Sequence, residues 1–312
     1  MHLCNRCKER EAEFRVSYSG EWMCRNCFTA FLERKVARLV LKRKMIDEDR
    51  LSIIAVSGGK DSAALASILK RTFPSVKFLC VYLNLGIPNF SDECEAKARE
   101  LCQKLGLSLR VVSLEKEYGF SILDLKKSVY GRKICSACGV VKRYLLNKVA
   151  IEEGAYSVLT GHNLDDIVEV LFDHYLNGRV RDIVRTVEFS PPQGMLAGRG
   201  KPLARITNEE LLFYAKSMEL PFSDAMCVYA LKSRSYKRKK LMKILEKEIK
   251  GFRHIYYGSH RRIRRVLEKG VEEKKGKVVN CLVCKLPTTS KKGICGFCRI
   301  VDAGRKARAN TY

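Results

Sequence analysis

Nothing in the 312-residue chain approaches the length of a membrane span, since charge interrupts every apolar stretch. The N-terminal MHLCNRCKER carries charges and cysteines where a signal peptide needs an apolar run. These two absences lead us to expect a soluble, cytoplasmic protein with no membrane partner. Acidic residues are scarce, with 34 Asp and Glu against 60 Lys and Arg and a formal net charge of +26. Internal repeats are missing, apart from paired cysteine hooks. The 46% of apolar residues suffices for one medium domain with small appendages.

The positive charge is concentrated. Lys232 to Lys275 holds seventeen Lys and Arg and five acids, nearly half of the net charge. Such a run repels itself and is relieved beside a polyanion. A lysine-rich solvated surface of the thermophile kind has the same composition. Tyr236, Phe252, His254, Tyr256 and Tyr257 lie among the charges, however, and bases of single-stranded or looped RNA stack on such rings. RNA is the expected partner.

The fourteen cysteines sort by spacing. Cys4-x2-Cys7 with Cys24-x2-Cys27, and Cys281-x2-Cys284 with Cys295-x2-Cys298, each make a pair of hooks. Four thiolates are the donor set of a tetrahedral structural zinc ion, so two zinc sites are expected. Disulfides are the poorer reading for a cytosolic chain. Cys80, Cys94 and Cys102 fall in apolar or helical contexts and read as inert thiols. Cys135 and Cys138 form a third hook with no partner hook nearby, and Cys227 stands alone. Three thiolates can hold a [4Fe–4S] cluster with one iron open. A redox-active or persulfide-forming pair is equally compatible with the spacing, and so is a structural metal site.

Strands and helices alternate through the middle of the chain. Residues 51–56, 76–83, 107–112 and 156–160 read as buried strands. Helices are expected over Ala63–Thr72, Ser91–Leu105 (with Ser91 as the cap), Val140–Glu153 and Asn208–Met218. This alternation implies a parallel sheet covered on both faces.

The chemistry starts where the first strand ends, at Ser57-Gly58-Gly59-Lys60-Asp61-Ser62. Two glycines allow a sharp turn that aims amides and a helix N-terminus at a phosphate. Lys60 adds a cation, Ser57 and Ser62 add hydroxyls, and Asp61 is a magnesium ligand or a brace of the loop. The segment lacks the G-x-x-x-x-G-K-[ST] spacing of a Walker A loop. After the fourth strand comes Gly161-His162-Asn163-Leu164-Asp165-Asp166. In an open parallel sheet it should face the first loop. Its acidic pair could bind magnesium, orient an acceptor base, or simply favour a helix N-terminus.

SGGKDS resembles the PP-loop of ATP pyrophosphatases, which cleave ATP to AMP and pyrophosphate. Together with CSAC (135–138), GHNLDD (161–166) and Cys227, it resembles the TtcA/TtuA class of tRNA thiouridine and thiocytidine synthetases. The flanking cysteine modules resemble the TtuA and wobble-uridine branches, in archaeal or thermophile form, and weigh against cytidine as substrate. The likeness spans nearly the whole chain. It implies an α/β fold, an adenine nucleotide alpha hydrolase-like, doubly wound parallel sheet flanked by two small zinc modules. The corresponding divisions are an N-terminal zinc finger (1–32), a helical connector (33–49), a catalytic domain (50–230), a basic helical tRNA-binding region (231–276) and a C-terminal zinc finger (277–312).

The resemblance also implies roles. Ser57 to Ser62 would hold the ATP phosphates with Mg2+, and Ala55, Val56, Leu83 and Gly161 would line the nucleotide. Cys135, Cys138 and Cys227 would ligate a [4Fe–4S] cluster whose fourth iron binds sulfide. Lys142 and Asp166 match a catalytic lysine and a catalytic acid. Uracil O2 would attack the α-phosphorus, pyrophosphate would leave, and sulfur would then replace the adenylated oxygen at C2. The implied partners are tRNA, a second copy in a homodimer, and a sulfur source, either free sulfide or a ubiquitin-like carrier with a C-terminal thiocarboxylate. The target expected is the T-loop (5-methyl)uridine, with the wobble uridine and a cluster-free persulfide route as alternatives. A zinc-finger RNA-binding protein with a vestigial nucleotide site is the competing class.

Overall fold

The computed structural model describes residues 2–231, 233–271 and 278–310. Lys232 and residues 272–277, which belong to the expected basic region and its junction with the second cysteine module, lie outside the described residues.

The chain opens with a small hairpin, Phe14–Arg15 against Trp22–Met23, from which helix α1 (Arg25–Arg43) departs. One helix therefore runs across the expected boundary at 32/33. The first strand of the main sheet, β1 (Ser52–Val56), is followed by α2 (Lys60–Thr72), β2 (Phe78–Asn84), α3 (Phe90–Leu105) and β3 (Ser108–Ser113). Next come α4 (Ile134–Glu152), β4 (Ser157–Thr160) and α5 (Leu164–Leu176). Two short strands, β5 (Phe189–Ser190) and β6 (Gly198–Gly200), precede α6 (Asn208–Ser217). The basic region is two helices, α7 (Arg234–Glu248) and α8 (Phe252–Gly270), and α9 (Gly296–Ala309) ends the C-terminal module.

The sheet order is β3-β2-β1-β4-β6-β5, parallel throughout except for the β5–β6 pair. The order reverses between β1 and β4, and a doubly wound sheet opens its ligand crevice at the carboxyl ends of such strands. Alternation along β1 feeds two cores. Ile54 packs with α2, α3, α5 and α6 on one face, and Ile53 packs with α4 on the other. The N-terminal cysteine module joins the first core through Cys4 and Cys24, and the C-terminal module joins the second through Cys281 and Cys295. The two modules thus brace opposite faces of one sheet.

Several boundaries differ from the expected ones. Asn89, at φ 62°, is the N-cap of α3, not Ser91. The Ser91 hydroxyl instead accepts the Ile87 N–H at 3.0 Å. Helix α4 starts six residues earlier than expected, because Cys135 and Cys138 lie within its first turns and not in a loop before it. Among the described residues no helix is long and apolar enough to cross a membrane.

Candidate active site

Local geometry explains the glycine loop after β1. Gly58 has φ +77°, and a Cβ there would lie 2.4 Å from the Cys94 carbonyl oxygen, so the backbone of α3 excludes any side chain. Gly59 is the N-cap of α2. The Ser57 N–H donates to the Ser62 hydroxyl at 3.0 Å, and that hydroxyl donates to the Gly59 carbonyl at 2.9 Å. These bonds pin the loop at the N-terminus of a thirteen-residue helix, a position suited to phosphate. Lys60 donates to the Asp61 carboxylate at 2.6 Å and to the Asn208 side-chain oxygen. Asp61 braces the loop here, and burial pushes its carboxyl up against the pull of Lys60.

The loop after β4 lies against the first. A Cβ at Gly161 would be 3.0 Å from the Ser62 backbone nitrogen, so the two loops touch. Ala55 and Val56 end β1, and Leu83 is one residue from the end of β2, at the same edge of the sheet. Asn163 and Asp166 form a reciprocal capping box at the start of α5. Asp166 is also ion-paired with Lys239 of α7. Burial opposes its ionisation, but Lys239, His162 and the Asn163 N–H together hold the carboxyl below its usual range. Asp165 accepts the Asn208 N–H at 2.9 Å and pairs with Arg253 of α8. The acidic pair therefore anchors both basic helices, and Asn208 joins Lys60 to that anchor. Local sequence reasoning missed Asn208, Lys239 and Arg253. Their partners lie 43 to 148 residues away along the chain.

Cys135, Cys138 and Cys227 gather where α4 begins. The Cys135 thiol donates to the Tyr229 carbonyl at 3.7 Å, which ties the Cys227 segment to this helix. Burial pushes both thiols of the hook up, Cys227 adds to the rise, and Lys142 opposes it. The three sulfurs do not share the mutual spacing of under 4.8 Å that characterises the cysteine sets of the two terminal modules. One metal ion bound by all three would require that spacing. An iron–sulfur cube, which takes each thiolate on a different iron, does not. Lys142 is exposed, one turn beyond Cys138, and has no ion pair or hydrogen bond among the described residues.

The terminal modules are built alike. In each, four sulfurs lie within 4.8 Å of one another. The second hook starts a helix, with Cys24 and Cys295 at the N-caps of α1 and α9. Burial pushes the Cys4 thiol up, but the backbone N–H groups of Cys24, Cys7 and Arg6 bring it down to about 6. Backbone donors from Cys284, Cys295 and Val283 bring Cys281 to about 6 against the same opposition. In the same sets burial pushes the Cys27 and Cys298 thiols up, so what fits each pocket to a metal ion is the close set of four sulfurs. The C-terminal module also positions the hook helix. Phe297 stacks on Tyr144 of α4 at 3.8 Å, and Gly296 packs against Val140.

Helix α8 presents a shallow groove lined by His254, Arg261, Arg262 and Arg265. Arg264 points elsewhere, donating to the Val184 carbonyl at 2.8 Å and pairing with Glu268.

Comparison with known proteins agrees with this geometry. Residues 29–245 match the PP-loop domain family. The chain is 31% identical to the tRNA-5-methyluridine(54) 2-sulfurtransferase of Pyrococcus horikoshii, covering 95% of this chain and 92% of that one. It is 32% identical to the Thermus thermophilus protein of the same name, covering 96% and 91%. Among solved structures it is similar to a U34-tRNA thiolase, NcsA from Methanococcus maripaludis with its [4Fe–4S] cluster. That match has a TM-score of 0.75 at 24% identity and covers 95% of this chain and 94% of that chain.

Proposed function

The chain belongs to the PP-loop domain family, and from that premise we propose that it is an ATP-dependent tRNA-uridine 2-sulfurtransferase acting on the T-loop 5-methyluridine. The observation that carries this reading is the meeting, at one edge of the sheet, of the glycine loop, the Gly161 loop and three thiols beside an unpaired lysine. Relatives of that activity, at 31% and 32% identity over nine-tenths of both chains, support it.

In this reading Ser57 to Ser62 would hold the ATP phosphates, and Asp61 would offer a carboxylate to Mg2+, which would supply charge neutralisation there. Ala55, Val56, Leu83 and Gly161 line the adenosine. Uracil O2 attacks the α-phosphorus and pyrophosphate leaves, so that a poor oxygen leaving group becomes AMP. Lys142, free of other partners among the described residues, stabilises negative charge developing on the phosphate or carbonyl oxygen. Asp166, kept ionised by Lys239, orients the acceptor. Cys135, Cys138 and Cys227 are the residues that would hold a [4Fe–4S] cluster. When bound, the cluster supplies one Lewis-acidic iron without a protein ligand, a position able to take sulfide. The reading carries with it a cytoplasmic homodimer and delivery of sulfur as free sulfide or as a carrier's thiocarboxylate.

Two measurements test the reading. Pyrophosphate release should depend on tRNA, and mass-spectrometric mapping should find 2-thiolation at the T-loop uridine. Release without tRNA dependence, or no thiolated nucleoside, sinks it; thiolation at the wobble uridine corrects the target.

The cysteine modules are proposed to hold one zinc ion each. Elemental analysis of metal-replete protein should find about two zinc per chain. Cys4→Ser and Cys281→Ser should each destabilise its own module without directly blocking adenylation. Zinc-free, stable protein would end this assignment.

The basic helices are proposed to bind tRNA, and their salt dependence checks that. Neutralising Arg261, Arg262 and Arg265 together should flatten the log–log salt slope of tRNA binding by about 0.7–0.9 for each phosphate left without its cation. Arg264, held by Val184 and Glu268, should leave the slope unchanged when replaced. An unaltered slope in the triple variant would make these charges a solvated surface.

A further inference from the structure

Between α4, the β4–β6 side of the sheet and α5 lies a cavity of about 680 Å³. His162 and Asp166 reach it from the loop after β4, so it opens beside the site already described. Its walls carry Arg143, Arg185, Arg199 and Lys201. None of these four is ion-paired with an acid among the described residues, whereas Asp166, which also lines the cavity, is already held by Lys239. Asp182 is the other acid on its lining. Burial lowers the proton affinity of the Arg199 guanidinium, and the nearby charge of Arg143 lowers it further. Cations gathered in this way suit an anionic ligand.

Asn147, from the face of α4 turned to this cavity, is only 9% exposed. Its Oδ1 is buried and has no hydrogen-bond partner among the described residues. Leaving such an atom unpaired is costly, and an orphan acceptor on a residue that lines a cavity marks a place for a ligand's donor. The ligand should therefore combine an N–H group with negative charge nearby.

We propose that this cavity receives the acceptor nucleotide flipped out of the RNA, with the Asn147 carboxamide reading the imide edge of uracil. Oδ1 accepts the N3–H and the amide NH2 donates to O4, which leaves C2 and its oxygen free to react. Arg143, Arg185, Arg199 and Lys201 hold the phosphates on either side. An enzyme that modifies a ring carbonyl within folded RNA must extrude the base, and the phosphates travel with it. This assignment rests on the thiolation reading above and names the part of the site that recognises the base.

The test compares wild-type and Asn147→Leu protein on tRNA, counting thiolated nucleosides by mass spectrometry. The kcat/KM for thiolation should fall about 10- to 100-fold, the cost of one unmade buried hydrogen bond. The thermal midpoint should hold or rise, because an unpartnered polar group has been removed. Placing 3-methyluridine at the target position should slow the wild type by a similar factor and leave Asn147→Leu indifferent to the methyl. Equal rates for wild type and variant would overturn the assignment, and so would a reduced rate accompanied by a lowered midpoint. A loss confined to carrier-borne thiocarboxylate, with free sulfide still used normally, would give the cavity to the carrier's tail and overturn it as well. A wild type that thiolates no RNA fails at the earlier reading, whereas an active wild type matched by its variant fails here alone.

Discussion

Purified without oxygen, the protein is expected to be brown, to contain about four iron per chain, and to lose thiolation when any one of Cys135, Cys138 or Cys227 becomes alanine. The eight cysteines of the terminal modules are drawn into two tight sets. Cys80, Cys94 and Cys102 are buried in the first core. That leaves the two thiols in the first turns of α4 and Cys227, which raises both of them from a separate segment. ATP should still bind in each variant, because the phosphate loop hangs on β1 and α2 and takes no support from these thiols. Activity alone does not separate the cluster from a cysteine persulfide, since both routes lose a thiol they need. Iron does. Chelator-treated, iron-free enzyme should be inactive with a sulfide source and regain activity on reconstitution. Full-rate thiolation by iron-free enzyme would discard the cluster, in favour of direct attack by sulfide when sulfide is the source and of a persulfide only when the source is a sulfane-sulfur donor.

The framework was legible because its signals are local. An apolar run such as 52–56 followed by two glycines declares a buried strand and a tight turn, and cysteine hooks declare themselves by spacing. Boundaries were less legible where capping misled. Ser91 looks like an N-cap, but the chain turns earlier at Asn89, and the Ser91 hydroxyl is taken by Ile87. The helix expected from Val140 starts earlier, because the second core buries Ile134 and Ala137 and α4 runs through both cysteines. The occupancy of the acidic pair was not legible at all. Asp165 and Asp166 look like free carboxylates for a cation, but Arg253 and Lys239 reach them from helices some 70 to 90 residues later. No periodicity encodes such a pairing. Asn147 was equally silent, because an asparagine within a helix looks like any solvent-facing one.

The other large effect expected is on stability, at Arg253. Its side chain is nearly fully buried and bonds Asp165, Glu209 and Glu246, joining the start of α5, the start of α6 and the end of α7 to α8. Asp165 and Glu246 are mostly buried, whereas the Glu209 side chain is 53% exposed and adds little. Taking away the cation they share would strand two carboxylates away from water. Arg253→Met should therefore cost about 3–5 kcal/mol in chemical denaturation, the usual range for breaking one side of a buried ion pair. Burial already pushes the Asp165 carboxyl up in the intact protein, with Arg253 opposing it. Without Arg253 the folded state would bind a proton there more tightly than the unfolded chain does. The added stability of that proton is present at low pH and lost as pH rises through the raised value, so the penalty of the variant should shrink as pH falls toward the carboxylate range. Combining Arg253→Met with Asp165→Asn and Glu246→Gln should recover part of the loss, because no buried charge is then left alone. A penalty below about 1 kcal/mol at neutral pH, or one indifferent to pH, would show that apolar packing and not this arginine docks the basic helices on the catalytic sheet.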